Sequence, residues 1–264
     1  MAITSITQLV AASNAAERIR ICKPASVADT AGERKTTFAM AGTPPAGVLN
    51  PGNTNGIIPI AGQLGYPAIT GFPVGATGYI TRVEATYPGT AQVALYDVLW
   101  RGGYYAGATD TALTPPALVR VPDGDYKNCQ FFLESAETNL LITGNINYLD
   151  GTTTGQTTSF SMTPTLNNTG AWYPLPLVNS QGIRAVTNVT RTDIMTGVNI
   201  VLVIARKLWG GPVRYTSDTI VHGLDSLGLT RVYDTSALVM VNTRQTQVTG
   251  QPIEMCVDIA PEQS

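Results

Sequence analysis

The stretch YITRVEATYPGTAQVALYDVLWRGG, residues 79–103, decides the class of fold. The residues from Tyr79 to Tyr87, and again those from Gln92 to Trp100, divide into two alternating sets, as the two faces of an extended chain do. Successive side chains of a strand point to opposite faces, so each part predicts a strand. The turn Pro88-Gly89-Thr90 between them predicts a β-hairpin. The predicted common faces carry Tyr79, Thr81, Val83, Ala85 and Tyr87 in the first strand, and Ala94, Tyr96, Val98 and Trp100 in the second.

Segments of the same kind recur along the chain, and some of their endings repeat. Leu99-Trp100-Arg101-Gly102-Gly103 has a counterpart in Leu208-Trp209-Gly210-Gly211. Arg-Val follows each of them, at Arg120-Val121 and at Arg231-Val232. This order predicts an all-β protein made of two related β-sandwich units of the jelly-roll-like kind. The alternative is one large sandwich in which the strand endings agree by coincidence.

The predicted units are residues 18–150 and residues 157–264, joined near Asp150–Gln156. The first unit contains a segment at 41–78 that is dominated by Gly, Pro, Ala, Thr and Asn. Proline lacks a backbone donor and glycine weakens helices and strands, so we expect a long loop there. It is too long for a passive connector. We expect it either to form a contact surface for a partner or to wrap around its own domain.

The first 17 residues predict a short amphipathic helix or arm. Its apolar residues recur at helical spacing, and Ser5 followed by Gln8 is typical of a capping box. The apolar stripe either covers the edge of its own core or docks on a neighbouring subunit. The candidate subunit interface on this stripe consists of Ile3, Ile6, Leu9 and Val10.

The composition excludes several classes of protein. Of 264 residues, 16 are Lys or Arg and 18 are Asp or Glu, so the net charge is −2 and there is no cationic surplus for binding nucleic acid. The hydrophobic fraction of 44% excludes an intrinsically disordered chain. The apolar run Ile200–Ala205 is too short to span a bilayer, and the N-terminus lacks the features of a signal peptide. We therefore expect synthesis in a reducing cytosol and no membrane partner.

The motifs of enzymes and metal sites are missing from the sequence. His222 is the single histidine, and the nearby Ser226 lacks the preceding glycine of a nucleophile elbow because Leu224 stands there. Cys22, Cys129 and Cys256 are widely spaced and predict buried thiols, not a zinc site or a disulfide framework. We expect no enzyme, no metal and no cofactor. Paired carboxylates for glycoside hydrolysis stay open, since they need to meet only in space.

Two further patterns have an ordinary and a functional interpretation. Asp123-Gly124-Asp125 follows Pro122 and is typical of a turn, although it also resembles part of a calcium loop. Aromatic residues near the strand ends are expected in the core, but they could also form a platform that stacks on sugars. These residues are Trp100, Tyr104, Tyr105, Trp172 and Tyr173.

Several segments together are similar to a family of structural proteins of tailed-bacteriophage virions. They are MAITSITQLVAASNAAERI, ATGYITRVEA, ALYDVLWRGGYYA, VPDGDYKNC, ARKLWGGPVR and LGLTRVYDTSALVMVN, which spread over roughly residues 1–260. The resemblance implies a decoration or cement protein that is made in the host cytoplasm and located in the virion, on the phage head. It makes the N-terminal stripe a candidate capsid interface as well. It implies as partners the major capsid protein and further copies of the chain, in a homo-oligomer such as a trimer. The alternative is a phage tail or adhesion module that binds host carbohydrate.

Overall fold

The computed structural model describes residues 6–25, 32–48, 56–102, 116–135, 141–163, 170–192, 200–214, 218–244 and 250–262. Strands dominate these residues, and the predicted all-β class is confirmed. The strands are β1 (Glu17–Lys23), β2 (Arg34–Thr36), β3 (Thr77–Tyr87), β4 (Ala91–Gly102), β5 (Cys129–Ser135), β6 (Ile142–Leu149), β7 (Gly155–Met162), β8 (Ala171–Pro174), β9 (Ala185–Arg191), β10 (Ile200–Val213), β11 (Asp218–Gly223), β12 (Arg231–Tyr233), β13 (Leu238–Arg244) and β14 (Ile253–Pro261). The α-helices are α1 (Ile6–Asn14) and α2 (Leu224–Leu227), and short 3₁₀ turns cover Pro122–Gly124 and Tyr126–Asn128.

The strands form three antiparallel groups. Sheet A has the order β1-β14-β3-β11, and β12 pairs with β3 beyond the end of β11. A closed barrel has the order β10-β4-β13-β2-β8-β5, and sheet B has the order β7-β6-β9. Apolar side chains from the inner faces of sheet A and the barrel share one core cluster, which includes Val83, Leu95 and Met255. A second cluster joins the barrel to sheet B through residues such as Phe131 and Ile146.

The predicted hairpin is wrong in its pairing, although both strands and the turn are present. β3 belongs to sheet A, where β14 occupies one edge and β11 with β12 occupies the other. β4 belongs to the barrel and lies between β10 and β13. The turn after Tyr87 therefore carries the chain from one layer to the other. Local alternation predicts a strand, but the partner of that strand depends on which distant segments compete for its edges.

Two bulges also change the predicted faces. The pairing of β3 with β14 shifts register between Asp258 and Ile259. Beyond this shift, Ile80 packs in the core shared with the barrel, although the alternation placed it on the opposite face. It joins Val83, Ala85 and Tyr87 there. A shift between Ile204 and Ala205 moves Trp100 out of the cluster that holds Tyr96 and Val98. An extra residue in one strand reverses the phase of the alternation beyond it.

The strand pairing does not follow the predicted division at Asp150–Gln156. In sheet A, β1 from the first half pairs with β14 from the second half. In the barrel, β4 pairs along most of its length with β10, so the two Leu-Trp segments of the apparent repeat lie on neighbouring strands. Strands from both halves are needed to complete each of these layers. The repeat therefore marks two partners within one barrel.

Helix α1 confirms the predicted N-terminal helix, over Ile6–Asn14. It packs against β14, and the side chain of Ala12 is buried. None of the helices in the described ranges has the length and apolar character needed to cross a bilayer.

Candidate partner-binding surface

The four residues of the predicted N-terminal interface are only partly described. Ile3 lies outside the described residues, and Ile6 and Leu9 belong to α1 with side chains outside the described part of the chain. Val10 is 54% exposed on the same helix. The role of this stripe in binding a subunit or a capsid stays a prediction.

The Gly/Pro-rich segment 41–78, which the structure describes at 41–48 and 56–78, is attached at its start to β1. Thr43 and Cys22 exchange two backbone hydrogen bonds, of 2.7 and 2.8 Å. The Nζ atom of the fully buried Lys23 donates to the carbonyl oxygen of Met40, at 2.8 Å, and to that of Pro44. Lys23 follows Ile19 and Ile21 at the inward positions of β1, so the alternation of the strand points its side chain under the segment.

The burial of Lys23 makes the stability depend on pH. Burial lowers the pKa of Lys23 from 10.5 to about 8. Between these values the unfolded chain binds a proton that the folded chain does not, so the free energy of unfolding rises as the pH rises. We expect wild type to gain about 2–3 kcal/mol relative to Lys23→Met between pH 8 and pH 10.5. Urea titrations at both pH values measure the difference, and parallel stability curves for the two proteins would contradict it.

A second attachment holds the far part of the segment. Both carboxylate oxygens of Glu17 accept from the backbone N–H of Thr70, at 2.9 and 3.0 Å, and one also accepts from the Thr70 hydroxyl at 2.7 Å. The N–H of Gly71 donates to the same carboxylate at 2.6 Å. Although partial burial opposes the charged form, the hydrogen bonds from Thr70 and Gly71 hold the pKa of Glu17 below its ordinary value. A single carboxylate thus fixes this turn of the segment.

The middle of the segment is attached to the barrel through Arg101. Its backbone exchanges hydrogen bonds of 2.7 and 3.0 Å with Ile57. Its buried guanidinium donates to Glu134 at 2.7 Å and to the carbonyl of Val48 at 3.2 Å, and it lies 3.9 Å above the centre of the Phe38 ring. A charged hydrogen bond in a buried site is stronger than one in water, which fixes the backbone of the segment on this side.

The attached segment nevertheless presents apolar side chains to solvent. It supplies five of the eleven exposed large apolar side chains in the described ranges. Val74 is fully exposed, and Leu64 is 57% exposed. Apolar side chains on a fixed backbone lose little further entropy when a partner covers them, so the segment is suited to form an interface. The five residues are Val48, Ile57, Ile60, Leu64 and Val74.

The residues considered for chemistry have structural partners. His222, in β11, packs edge-on against Trp209 with ring centres 5.4 Å apart. Asp123 and Gly124 adopt positive φ angles of 54° and 69° in the predicted turn, and Asp123 lies 3.2 Å from Arg231. No group of three or more His, Cys, Asp or Glu side chains within the described ranges is arranged to hold a metal ion.

The predicted sugar platform is not assembled from its two tryptophans. Trp100 is fully buried and Trp172 is nearly so, and the Trp172 indole stacks on Phe132 with ring centres 4.7 Å apart. Buried rings cannot stack on a ligand from solvent. Tyr104 and Tyr105 lie outside the described residues. Cys129 is buried, which raises the pKa of its thiol to about 12, and Cys22 and Cys256 are also free thiols.

The sequence interpretation missed the side chains that hold the segment in place. Lys23 could have been recognised, because it interrupts an otherwise apolar inward face of β1. Glu17 and Arg101 gave no comparable signal, since their partners lie 53 and 33 residues away in the chain. Long-range pairing of this kind has no local pattern.

Comparisons with known proteins leave the family open. No family model matches the chain, and no curated protein matches it. A solved structure titled "Structure of infectious bursal disease virus Gx strain" aligns with 93% of this chain and 81% of its own chain. The identity is 9% and the TM-score is 0.20, a likeness too low to support an argument about fold or function.

Proposed function

We propose that the protein is a virion structural protein that binds the outside of a tailed-phage head as a decoration, or cement, protein. The observation that carries the proposal is the segment 41–78, which is hydrogen-bonded to β1 and the barrel and yet exposes apolar side chains. The similarity of several sequence segments to tailed-phage structural proteins supports the choice of partner, the major capsid protein.

A cement protein opposes outward pressure by burying surface across the joint between capsid subunits. Burial of apolar surface contributes roughly 25 cal/mol per Å², and a rigid binding surface keeps most of that gain. The proposal includes self-association in a symmetric oligomer such as a trimer, with α1 and its exposed Val10 at a contact between subunits or with the capsid. The protein would reside in the virion after synthesis in the host cytoplasm.

Co-sedimentation with capsids tests the proposal. The purified protein should bind particles of the phage that encodes it, assembled without this protein, and saturate at a fixed ratio to the major capsid protein. Leu64→Asp and Val74→Asp should each weaken binding about tenfold, because a charge replaces an apolar side chain in the interface. Val178→Asp is the matched control, since Val178 is 55% exposed but lies outside the segment.

The outcomes separate the two parts of the proposal. If all three variants bind as wild type does, the segment is not the capsid-binding surface. If the wild-type protein does not sediment with the particles at all, the decoration role is wrong.

A further inference from the structure

The outer edge of β1 has backbone hydrogen-bonding groups that pair with no other backbone group in the described part of the chain. The two backbone hydrogen bonds between Cys22 and Thr43 show that the N–H and C=O of Cys22 point away from β14. These groups alternate in direction along a strand, so those of Arg20 and Arg18 point to the same outer side. Among the described residues, no backbone group pairs with Arg18 or Arg20 on that side.

Two prolines explain why the pairing stops at Cys22. An antiparallel continuation from Thr43 would place Pro45 opposite Arg20. Pro44 and Pro45 have no N–H to donate, and the chain turns away so that the carbonyl of Pro45 accepts from Gly65 at 2.8 Å. The edge of β1 is therefore left open by the sequence of the segment that runs beside it.

The open edge faces a groove of about 390 Å³. Thr43 closes one end at Cys22, and Thr70 closes the other end at Glu17. The four residues between these ends span about 13 Å at the ordinary rise of a strand. The far wall is apolar in large part and includes Leu64, Tyr66, Pro67 and Ala68.

The charges along the edge select the kind of strand that fits. The side chains of Arg18 and Arg20 are 50% and 59% exposed on the outer face of sheet A. A second copy of β1 paired antiparallel here would place arginine opposite arginine, which is unfavourable. Arg18 already pairs with Asp258, and Arg20 already pairs with Glu254. A carboxylate of an added strand would be attracted as a second partner of these guanidinium groups. The alternate side chains of an added strand would face the apolar wall beside Ile19 and Pro45.

We propose that the outer edge of β1 is a strand-addition site that takes an extended segment of a partner protein with alternating acidic and apolar residues. This inference rests on the proposed function and names how the partner is held. The backbone of the partner pairs with Arg18 and Arg20, its carboxylates lie beside their guanidinium groups, and its apolar side chains enter the groove.

A synthetic peptide tests the site without knowledge of the natural partner. The probe is a fluorescein-labelled, blocked peptide of four residues in which Glu and Val alternate, which matches the four free residues of β1, titrated with the full-length protein by fluorescence polarisation. We expect saturable binding, and binding at least about tenfold weaker for a peptide with Lys in place of Glu. A third peptide carries N-methyl groups on the amides that would face β1, and it should also lose about tenfold in affinity.

The variant pair Arg20→Pro and Arg20→Ala separates the backbone from the side chain. Both variants lose the ion pair with Glu254, but only Arg20→Pro removes the outward N–H, which sheet A does not use. Arg20→Pro should bind the Glu-Val peptide about tenfold more weakly than Arg20→Ala does. Thermal unfolding of both variants checks that sheet A is intact. Binding of the N-methyl peptide to wild type tests the same backbone hydrogen bonds without a mutation.

No binding of the Glu-Val peptide to wild type, or equal binding of the N-methyl peptide, would overturn the site. Capsid co-sedimentation distinguishes this failure from failure of the proposed function. If wild type and Arg20→Pro sediment equally with capsids while the peptide does not bind, the decoration role stands and strand addition at β1 is wrong.

Discussion

The substitution Asp97→Ala should lower the free energy of unfolding by about 3–5 kcal/mol, because it leaves two buried arginines without their counter-charge. Asp97 lies in β4 and is completely buried. One of its oxygens is 3.2 Å from Nη2 of Arg120, and the other is 3.9 Å from Nη2 of Arg206. Both arginines are themselves almost fully buried.

The same carboxylate also links neighbouring strands of the barrel. It accepts from the hydroxyl of Ser236 at 2.8 Å and from the N–H of Ala237 at 2.9 Å, immediately before β13. One side chain therefore ties β4, β10 and the entry to β13 together. Its removal leaves buried donors unsatisfied in addition to the uncompensated charges, which is why the expected loss is large.

Chemical denaturation monitored by tryptophan fluorescence measures the effect. Asp258→Ala is the matched control, because Asp258 also pairs with an arginine, at 2.8 Å from Arg18, but at the surface. That variant should lose no more than about 1 kcal/mol. Similar losses in the two variants would show that the buried cluster contributes no more than a surface ion pair.

Gly102→Ala should destabilise the protein by about 3 kcal/mol, since a methyl group would overlap a buried ring. A Cβ atom built on Gly102 would lie 1.8 Å from Cζ2 of Trp100. Residues two apart in a strand share one face, so the Trp100 indole lies across the position of Gly102. Trp100 is fully buried and has no room to move aside.

The geometry differs between the two copies of the apparent internal repeat. Trp209 is followed two residues later by Gly211, whose Cβ would lie 3.1 Å from Cζ2 of the Trp209 ring. Trp100 thus excludes a side chain two positions on, whereas Trp209 leaves a tight contact there, and β4 and β10 pair side by side. In both strands the tryptophan ring lies beside the glycine two positions on, but only at Gly102 does the ring exclude a methyl group.

Gly210→Ala is the matched control for Gly102→Ala. The nearest atom to its added methyl group is Cε of Lys207, at 2.9 Å, which belongs to the far end of a flexible side chain. We expect a change within about 1 kcal/mol for this variant. Thermal and urea unfolding of both proteins give the comparison, and a Gly102→Ala protein as stable as Gly210→Ala would contradict the packing argument.

Much of the local structure could be predicted from the sequence. The alternation of Tyr79–Tyr87 predicts β3, the apolar spacing near the N-terminus predicts α1, and the composition of 41–78 predicts a long loop. Each prediction depends on neighbours in the chain. The candidate surface was predicted only as a choice between a contact surface and a domain wrap, because its exposed side chains depend on where β1 and the barrel hold it.

The sequence by itself determined the all-β class, the positions of most strands and the helix, since these depend on side-chain periodicity and on the backbone limits of glycine and proline. Only the tertiary structure decided that β3 and β4 enter different layers and that β1 pairs with β14 across the whole chain. It also decided that Lys23, Glu17 and Arg101 hold the segment 41–78. Strand edges are chemically alike, so the choice of partner depends on packing the whole core at once, which no local pattern encodes.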